Sequence, residues 1–199
     1  MPERLILASA SSLRAALLRA AGIEFDIEPA AIDEARIKRL ARAIGDTAIV
    51  CAFALAVEKA RAVCARHPDA LVIGADQILV ADEDWFDKPA DLAEARVQLR
   101  ALRGRAHALA TAACVVSNGE TLWQATSAPE LTMRDFSDGF LDSYLAAEGE
   151  ALLSSVGAYR LEGRGVQLFS GIVGDHFAVL GLPLLELLEF LRGRGVTMA

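Results

Sequence analysis

Residues 47–77 read TAIVCAFALAVEKARAVCARHPDALVIGADQ. Thr47 to Arg66 is a long helical stretch, and His67-Pro68 closes it. Leu71-Val72-Ile73-Gly74 follows as a buried strand that delivers Asp76 at its C-terminal end. A helix feeding a buried strand is the repeating unit of an α/β fold.

Outward from this unit the pattern recurs. Leu5-Ile6-Leu7-Ala8 reads as a short buried strand. Ser9 to Ser12 then supply a turn and helix caps, a helix runs through about Ala21, and Gly22 ends it. Glu24 to Ile27 alternates polar and apolar as a second strand, and Pro29 to Arg42 is a charged segment containing Asp33 and Glu34. Towards the C-terminus, Asp91 caps a helix that reaches about Arg103 and breaks at Gly104. His107 to Val116 and Thr121 to Met133 read as strands joined by Asn118-Gly119, a hairpin signal. Ser137 and Asp138 open a helix to about Ala147. A Gly-rich stretch, Gly157 to Gly174, holds a strand at Val166 to Ile172. Phe177 to Leu180 is a short apolar run, and Leu184 to Leu191 is an amphipathic helix after Gly181-Leu182-Pro183. Alternation interrupted by a hairpin predicts an α/β class with a mixed sheet and a single domain over residues 1–199, the hairpin and the next helix forming a second lobe.

Composition excludes several classes. At 54% apolar, the 199 residues can build a sizeable core. A net charge of −7 argues against general nucleic-acid binding, though a local basic pocket for phosphates is compatible with it. Three Cys (Cys51, Cys64, Cys114) form no C-x-x-C pair and read as buried thiols in a reducing compartment. No signal peptide and no charge-free run of membrane length occurs, so a cytoplasmic location is expected. His67, His107 and His176 are dispersed, and no P-loop, zinc or G-x-S-x-G motif is present.

Three places have the residue types for chemistry on phosphates. Ser9-Ala10-Ser11-Ser12-Leu13-Arg14 is a hydroxyl-rich turn entering a helix; it reads either as a phosphate cradle, with free N–H groups and Arg14, or as an N-cap beside a solvated Arg. Asp76 stands where open α/β sheets bind ligands, as a general base, a metal ligand or a loop cap. Asp33-Glu34 reads as ligands for a hard cation or as a solvated acidic turn. Of the 20 basic residues only three are Lys, which draws attention to Lys59 after Glu58 and Lys88 before Pro89, whereas Lys38 lacks such a context.

The ordered set Leu5 to Ser11, Glu58-Lys59-Ala60, Gly74-Ala75-Asp76, Lys88-Pro89, Leu102 to His107 with Thr111, Gly157-Ala158-Tyr159, Glu162 to Gly165 and Gly181-Leu182-Pro183 resembles the Maf family of nucleotide pyrophosphatases over nearly the whole chain. The resemblance implies an elongated mixed sheet like that of the inosine-triphosphate pyrophosphatases, with flanking helices and two lobes around a cleft. It implies attack of water at the α-phosphorus of a nucleoside triphosphate, assisted by Mg²⁺ or Mn²⁺, with Asp76 as proton acceptor and metal ligand and Glu34 near the metal. Ser9, Ser11, Arg14, Lys59 and Lys88 fall at its phosphate-binding positions. It also implies a homodimer and, as an alternative to turnover, a nucleotide-binding regulator of cell division. The first turn departs from the family's S-x-S-P-R-R by carrying Ser12 and Leu13. Gln77 and Glu162 look like the branch acting on 7-methyl-GTP. Leu13 stands where that branch has an aromatic ring, so preference is left open among canonical and modified bases. A carboxylate-pair hydrolase acting on another substrate, such as a sugar, is a third reading.

Overall fold

The computed structural model describes residues 3–197, and its strands and helices alternate as the sequence predicts. The strands are β1 (Leu5–Leu7), β2 (Asp26–Ile27), β3 (Leu71–Ala81), β4 (Asp84–Phe86), β5 (Ala106–Ser117), β6 (Glu120–Ser127), β7 (Glu130–Met133) and β8 (Phe169–Val173). The helices are α1 (Ser12–Ala20), α2 (Glu34–Ile44), α3 (Ala48–Cys64), α4 (Leu92–Leu102), α5 (Asp138–Glu148), α6 (His176–Val179) and α7 (Leu184–Gly193). The strands hydrogen-bond in the order β2-β1-β3-β5-β7-β8, with β4 on β3 and β6 on β5. Parallel and antiparallel pairs both occur, so the fold is α/β with a mixed sheet, as expected. Among the described residues no helix is long and apolar enough to cross a membrane.

The chain divides into two compact units. The first holds the chain up to Gln77, Ala110–Ala128 and the chain from Asp175; the second holds Ile78–Leu109 and Pro129–Gly174.

In the first unit β1 runs parallel to both β2 and β3, with Leu5, Ile6 and Leu7 opposite Leu71, Val72 and Ile73. Side chains alternate between the two faces of a strand. Leu5, Leu7, Leu71, Ile73, Ala75, Ala113 and Val115 therefore share one face and pack in a single core with Ala15 and Leu18 of α1 and Leu184, Leu187 and Leu191 of α7. Each fully buried Leu contributes about 1.5–3 kcal/mol through the area it removes from water. The other face of β3 meets α3. A Cβ on Gly74 would stand 2.0 Å from the Ala56 carbonyl oxygen and 2.9 Å from the Ala60 Cβ. Only glycine admits so close an approach of helix to strand. Asn118 and Gly119, at φ 51° and 79°, turn β5 into β6 as the hairpin signal required.

The second unit pairs the end of β3 with β4 around Asp82 (φ 52°) and the start of β5 with β7, which carries β8. Asp91 caps α4 by accepting from the Glu94 N–H at 2.8 Å, and Ser137 caps α5 by accepting from the Phe140 N–H at 3.2 Å.

Local differences from the sequence reading have physical causes. The charged segment after Pro29 contains helix α2, capped by Asp33 and stopped by Gly45 at φ 76°. Thr121 to Met133 is two strands, because Pro129 lacks an N–H and interrupts the ladder. Val166 to Leu168 belong to a 3-10 turn, so β8 starts at Phe169. The run Phe177 to Leu180 is the short helix α6, whose cap Asp175 accepts from the Phe177 and Ala178 N–H groups. All three cysteines are buried thiols; burial pushes Cys114 up to about 12, which keeps it protonated and unreactive.

Candidate active site

In the first unit a polar cluster lies in a largely apolar interior: Ser9, Arg14, Lys59 and Asp76 are each less than a tenth exposed. The alternation of β3 explains how it assembles. Gly74 faces α3, so Asp76, two residues on, faces α3 as well. Lys59 lies beside Ala60 on that helix, and its Nζ donates to Asp76 Oδ1 at 2.5 Å. The same Nζ pairs with Glu34 Oε1 at 2.8 Å from the first turn of α2. One ammonium thus bridges two carboxylates, and the three groups come from three separate elements. Asp33 does not join them; its carboxylate is spent on the α2 cap, accepting from the Arg36 N–H at 2.9 Å.

Arg14 enters from α1. Its Nε donates to the Gly181 carbonyl at 2.7 Å, and its Nη1 donates to Ser9 Oγ at 3.1 Å and to the Ala75 carbonyl at 3.0 Å. Three of five guanidinium N–H donors are therefore committed to the protein. Burial lowers the Arg14 pKa, while the nearby charges of Asp76 and Glu34 work in the opposite direction. Two cations and two carboxylates make the cluster neutral, which is what makes ionised groups tolerable away from water. Ser9 Oγ also accepts from the Ser11 N–H at 3.3 Å, and Ser11 Oγ caps α1 by accepting from the Arg14 N–H at 3.3 Å. Of the second reading of the first turn, the N-cap is present at Ser11, whereas Arg14 is buried rather than solvated.

Gln77 follows Asp76 but points to the opposite face of β3. Its Nε2 donates to Thr111 Oγ1 at 2.8 Å and to the carbonyls of Ala178 and Val179 at 2.9 and 3.2 Å. Two carbonyls can only accept, so the amide nitrogen must face them. Thr111, fully buried, itself donates to the Ala178 carbonyl at 2.9 Å. Leu13 is half-buried in the first turn of α1.

The structure thus brings Ser9, Ser11, Arg14, Glu34, Lys59 and Asp76 together in the first unit, with Leu13 and Gln77 beside them in the chain. Lys88 and Glu162 belong to the second unit. Lys88 is exposed between β4 and α4, ahead of buried Pro89. Glu162 accepts from Arg160 Nε at 3.1 Å. The sequence reading missed the carbonyls of Gly181 and Ala75 as the seats of Arg14, and it missed Arg160. Backbone acceptors carry no residue signature. Arg160 lies two residues before Glu162, and that spacing was its available signal.

Among the described residues no group of three or more His, Cys, Asp or Glu side chains gathers to hold a metal ion unaided. Glu34 and Asp76 do converge on one cationic point, the Lys59 Nζ. Two hard oxygen donors suit an ion such as Mg²⁺, which completes its shell with water and substrate phosphates. The residues present fit an ion shared with substrate better than a closed protein cage.

The sequence profile of the family described as Maf-like protein matches residues 4–194. A nucleoside triphosphate pyrophosphatase of Granulibacter bethesdensis is 53% identical over 95% of this chain and 96% of its own length. One of the same name in Paramagnetospirillum magneticum is 52% identical over 96% and 98%. A 7-methyl-GTP pyrophosphatase of Rhizobium meliloti is 48% identical over 98% of each chain.

Proposed function

The chain belongs to the Maf-like family, and from that premise we propose that it hydrolyses a nucleoside triphosphate to the monophosphate and pyrophosphate. The observation that carries this reading is the buried Lys59 ammonium between Asp76 and Glu34, with Arg14 pinned beside them.

Cleavage of a phosphoanhydride needs charge neutralisation on the phosphates, an oriented water and an acceptor for its proton. Asp76 is the acceptor. Lys59 holds its carboxylate in place through the 2.5 Å contact, and the proton released by the attacking water passes to Asp76 Oδ. Arg14 offers its two Nη2 donors to phosphate oxygens, and its three protein contacts fix their direction before substrate arrives. Ser9 and Ser11 bring hydroxyls to the same turn, and the resemblance puts Lys88 at a phosphate-binding position. Glu34 and Asp76 would hold a divalent cation, Mg²⁺ or Mn²⁺, which when bound withdraws charge from the phosphates. Gln77, Leu13 and Glu162 set base preference. Gln77 and Glu162 resemble the branch acting on 7-methyl-GTP, a name that the Rhizobium meliloti relative carries, whereas Leu13 departs from it, so a panel of canonical and modified nucleoside triphosphates decides the preferred base. The resemblance also implies a cytoplasmic homodimer, which light scattering at micromolar concentration tests for oligomeric state.

Asp76→Asn is the decisive test. It should lower turnover by about 10²–10⁴-fold while nucleotide binding survives, measured as pyrophosphate release and binding on one preparation. Near-normal turnover removes Asp76 from the chemistry. For the cation in the second unit, Lys88→Ala should reduce kcat/KM more than Lys38→Ala; equal losses would deny Lys88 a place at the phosphates.

A further inference from the structure

The segment around Glu162 is fixed from several directions at once. Gly157 and Ala158 both lie in the left-handed region, at φ 75° and 56°, and Ala158 is fully buried. An L-residue held there costs on the order of 1 kcal/mol, so its surroundings must impose the conformation. Tyr159 is buried, its ring edge-on to Phe169 at 4.9 Å and its hydroxyl 2.9 Å from His107 Nε2. The Arg160 N–H donates to the Tyr144 hydroxyl at 3.2 Å, and the Arg160 carbonyl accepts from the Gly163 N–H at 3.2 Å. That bond makes Arg160 to Gly163 a tight turn with Glu162 at its tip. The chain then passes back across Arg160 so closely that a Cβ on Gly165 would stand 2.3 Å from the Arg160 carbonyl oxygen.

The Arg160 side chain completes the arrangement. Its Nε donates to Glu162 Oε1 at 3.1 Å and its Nη1 to Glu148 Oε2 at 3.3 Å. Glu148 ends α5, and its side chain is only 9% exposed, against 32% for Glu162. One cation faces two carboxylates, so the group keeps a net negative charge. The buried partner anchors the fork, and the carboxylate at the turn tip is the one left within reach of solvent.

We propose that Arg160 is the positioning residue of base recognition: anchored on Glu148, it holds the Glu162 carboxylate at the tip of a braced turn, where the turn takes a cationic nucleobase. The proposal rests on the reading of Glu162 as the carboxylate that faces the base. Arg160 itself touches no substrate in this scheme. Its fork is pre-organised for two acceptors, whereas a Lys in its place would serve them from a single atom.

The experiment compares wild type, Arg160→Ala, Arg160→Lys, Glu162→Gln and the double variant Arg160→Ala/Glu162→Gln, with 7-methyl-GTP and GTP as substrates. Arg160→Ala should raise KM for 7-methyl-GTP about ten-fold with kcat within about two-fold, and should leave KM for GTP nearly unchanged. Arg160→Lys should recover part of the loss. On the Glu162→Gln background, removing Arg160 should add nothing, because the two residues act through one contact. The proposal is overturned if the two effects simply multiply, if KM rises equally for both substrates, if Arg160→Ala leaves KM unchanged, or if it tightens the cationic substrate. A wild type with no preference for 7-methyl-GTP, or a Glu162→Gln variant that keeps that preference, instead overturns the base-facing reading of Glu162.

Discussion

Two clusters in this molecule share a formula and differ in construction. In the first unit one cation, Lys59, stands between Glu34 and Asp76; in the second, Arg160 stands between Glu148 and Glu162. Lys59 meets both carboxylates with one atom, at 2.8 and 2.5 Å, whereas Arg160 uses two nitrogens, at 3.3 and 3.1 Å. The first group is gathered from α2, α3 and β3, and its Lys59 and Asp76 side chains are about a tenth exposed. The second comes from one turn and one helix end, and the Arg160 side chain is 36% exposed. Charges interact more strongly where water is excluded and weakly where solvent screens them. The buried, multi-element cluster fixes its charged groups in position away from solvent. The half-exposed, local one can orient a side chain but can shift its charge little.

The largest effect that would break this contrast is expected at Lys59. Lys59→Met should lower kcat/KM by about 10²–10³-fold, since Glu34 and Asp76 then lose the cation between them. Steady-state kinetics at saturating Mg²⁺ measures it; a variant keeping a third of wild-type efficiency would place the first cluster on a par with a surface ion pair. A smaller effect, on stability, sharpens the point about construction. Gly74→Ala forces a Cβ into the Ala56 carbonyl and should cost about 1–3 kcal/mol as α3 is pushed from β3. Urea unfolding at constant slope reads it. An unchanged midpoint would mean that the Lys59–Asp76 contact does not depend on that close approach.

How much of this was legible in the sequence follows from where each signal resides. Asp76 was legible because a buried strand has a C-terminal end, and Lys59 because Lys is rare in this chain. Glu34 was visible as an acidic residue, but its helix was not. Within α2, Ile37, Leu40, Ala41 and Ile44 recur at helical spacing, a signal that the charged residues between them concealed. Strand β4 escaped because three residues, Asp84 to Phe86, are too short to show a period. The break in Thr121 to Met133 was in plain view as Pro129, yet the alternation on either side concealed it. Arg14 could be placed near phosphates, whereas its anchoring on the carbonyls of Gly181 and Ala75 depends on chain segments more than 60 residues away. Arg160 was passed over because its second partner, Glu148, becomes a neighbour only after α5 and the 3-10 turns have folded.

The first unit is stitched from three stretches of the chain, and the last begins at Asp175. During synthesis the emerging polypeptide can form β1, α1, α3 and β3 early, but Leu184, Leu187 and Leu191 complete their core, and the Gly181 carbonyl seats Arg14, only after about 100 further residues have been made. Until then the nascent chain carries an open apolar face and a guanidinium that lacks one of its three protein acceptors, and exposed apolar surface of this kind invites chaperones and aggregation.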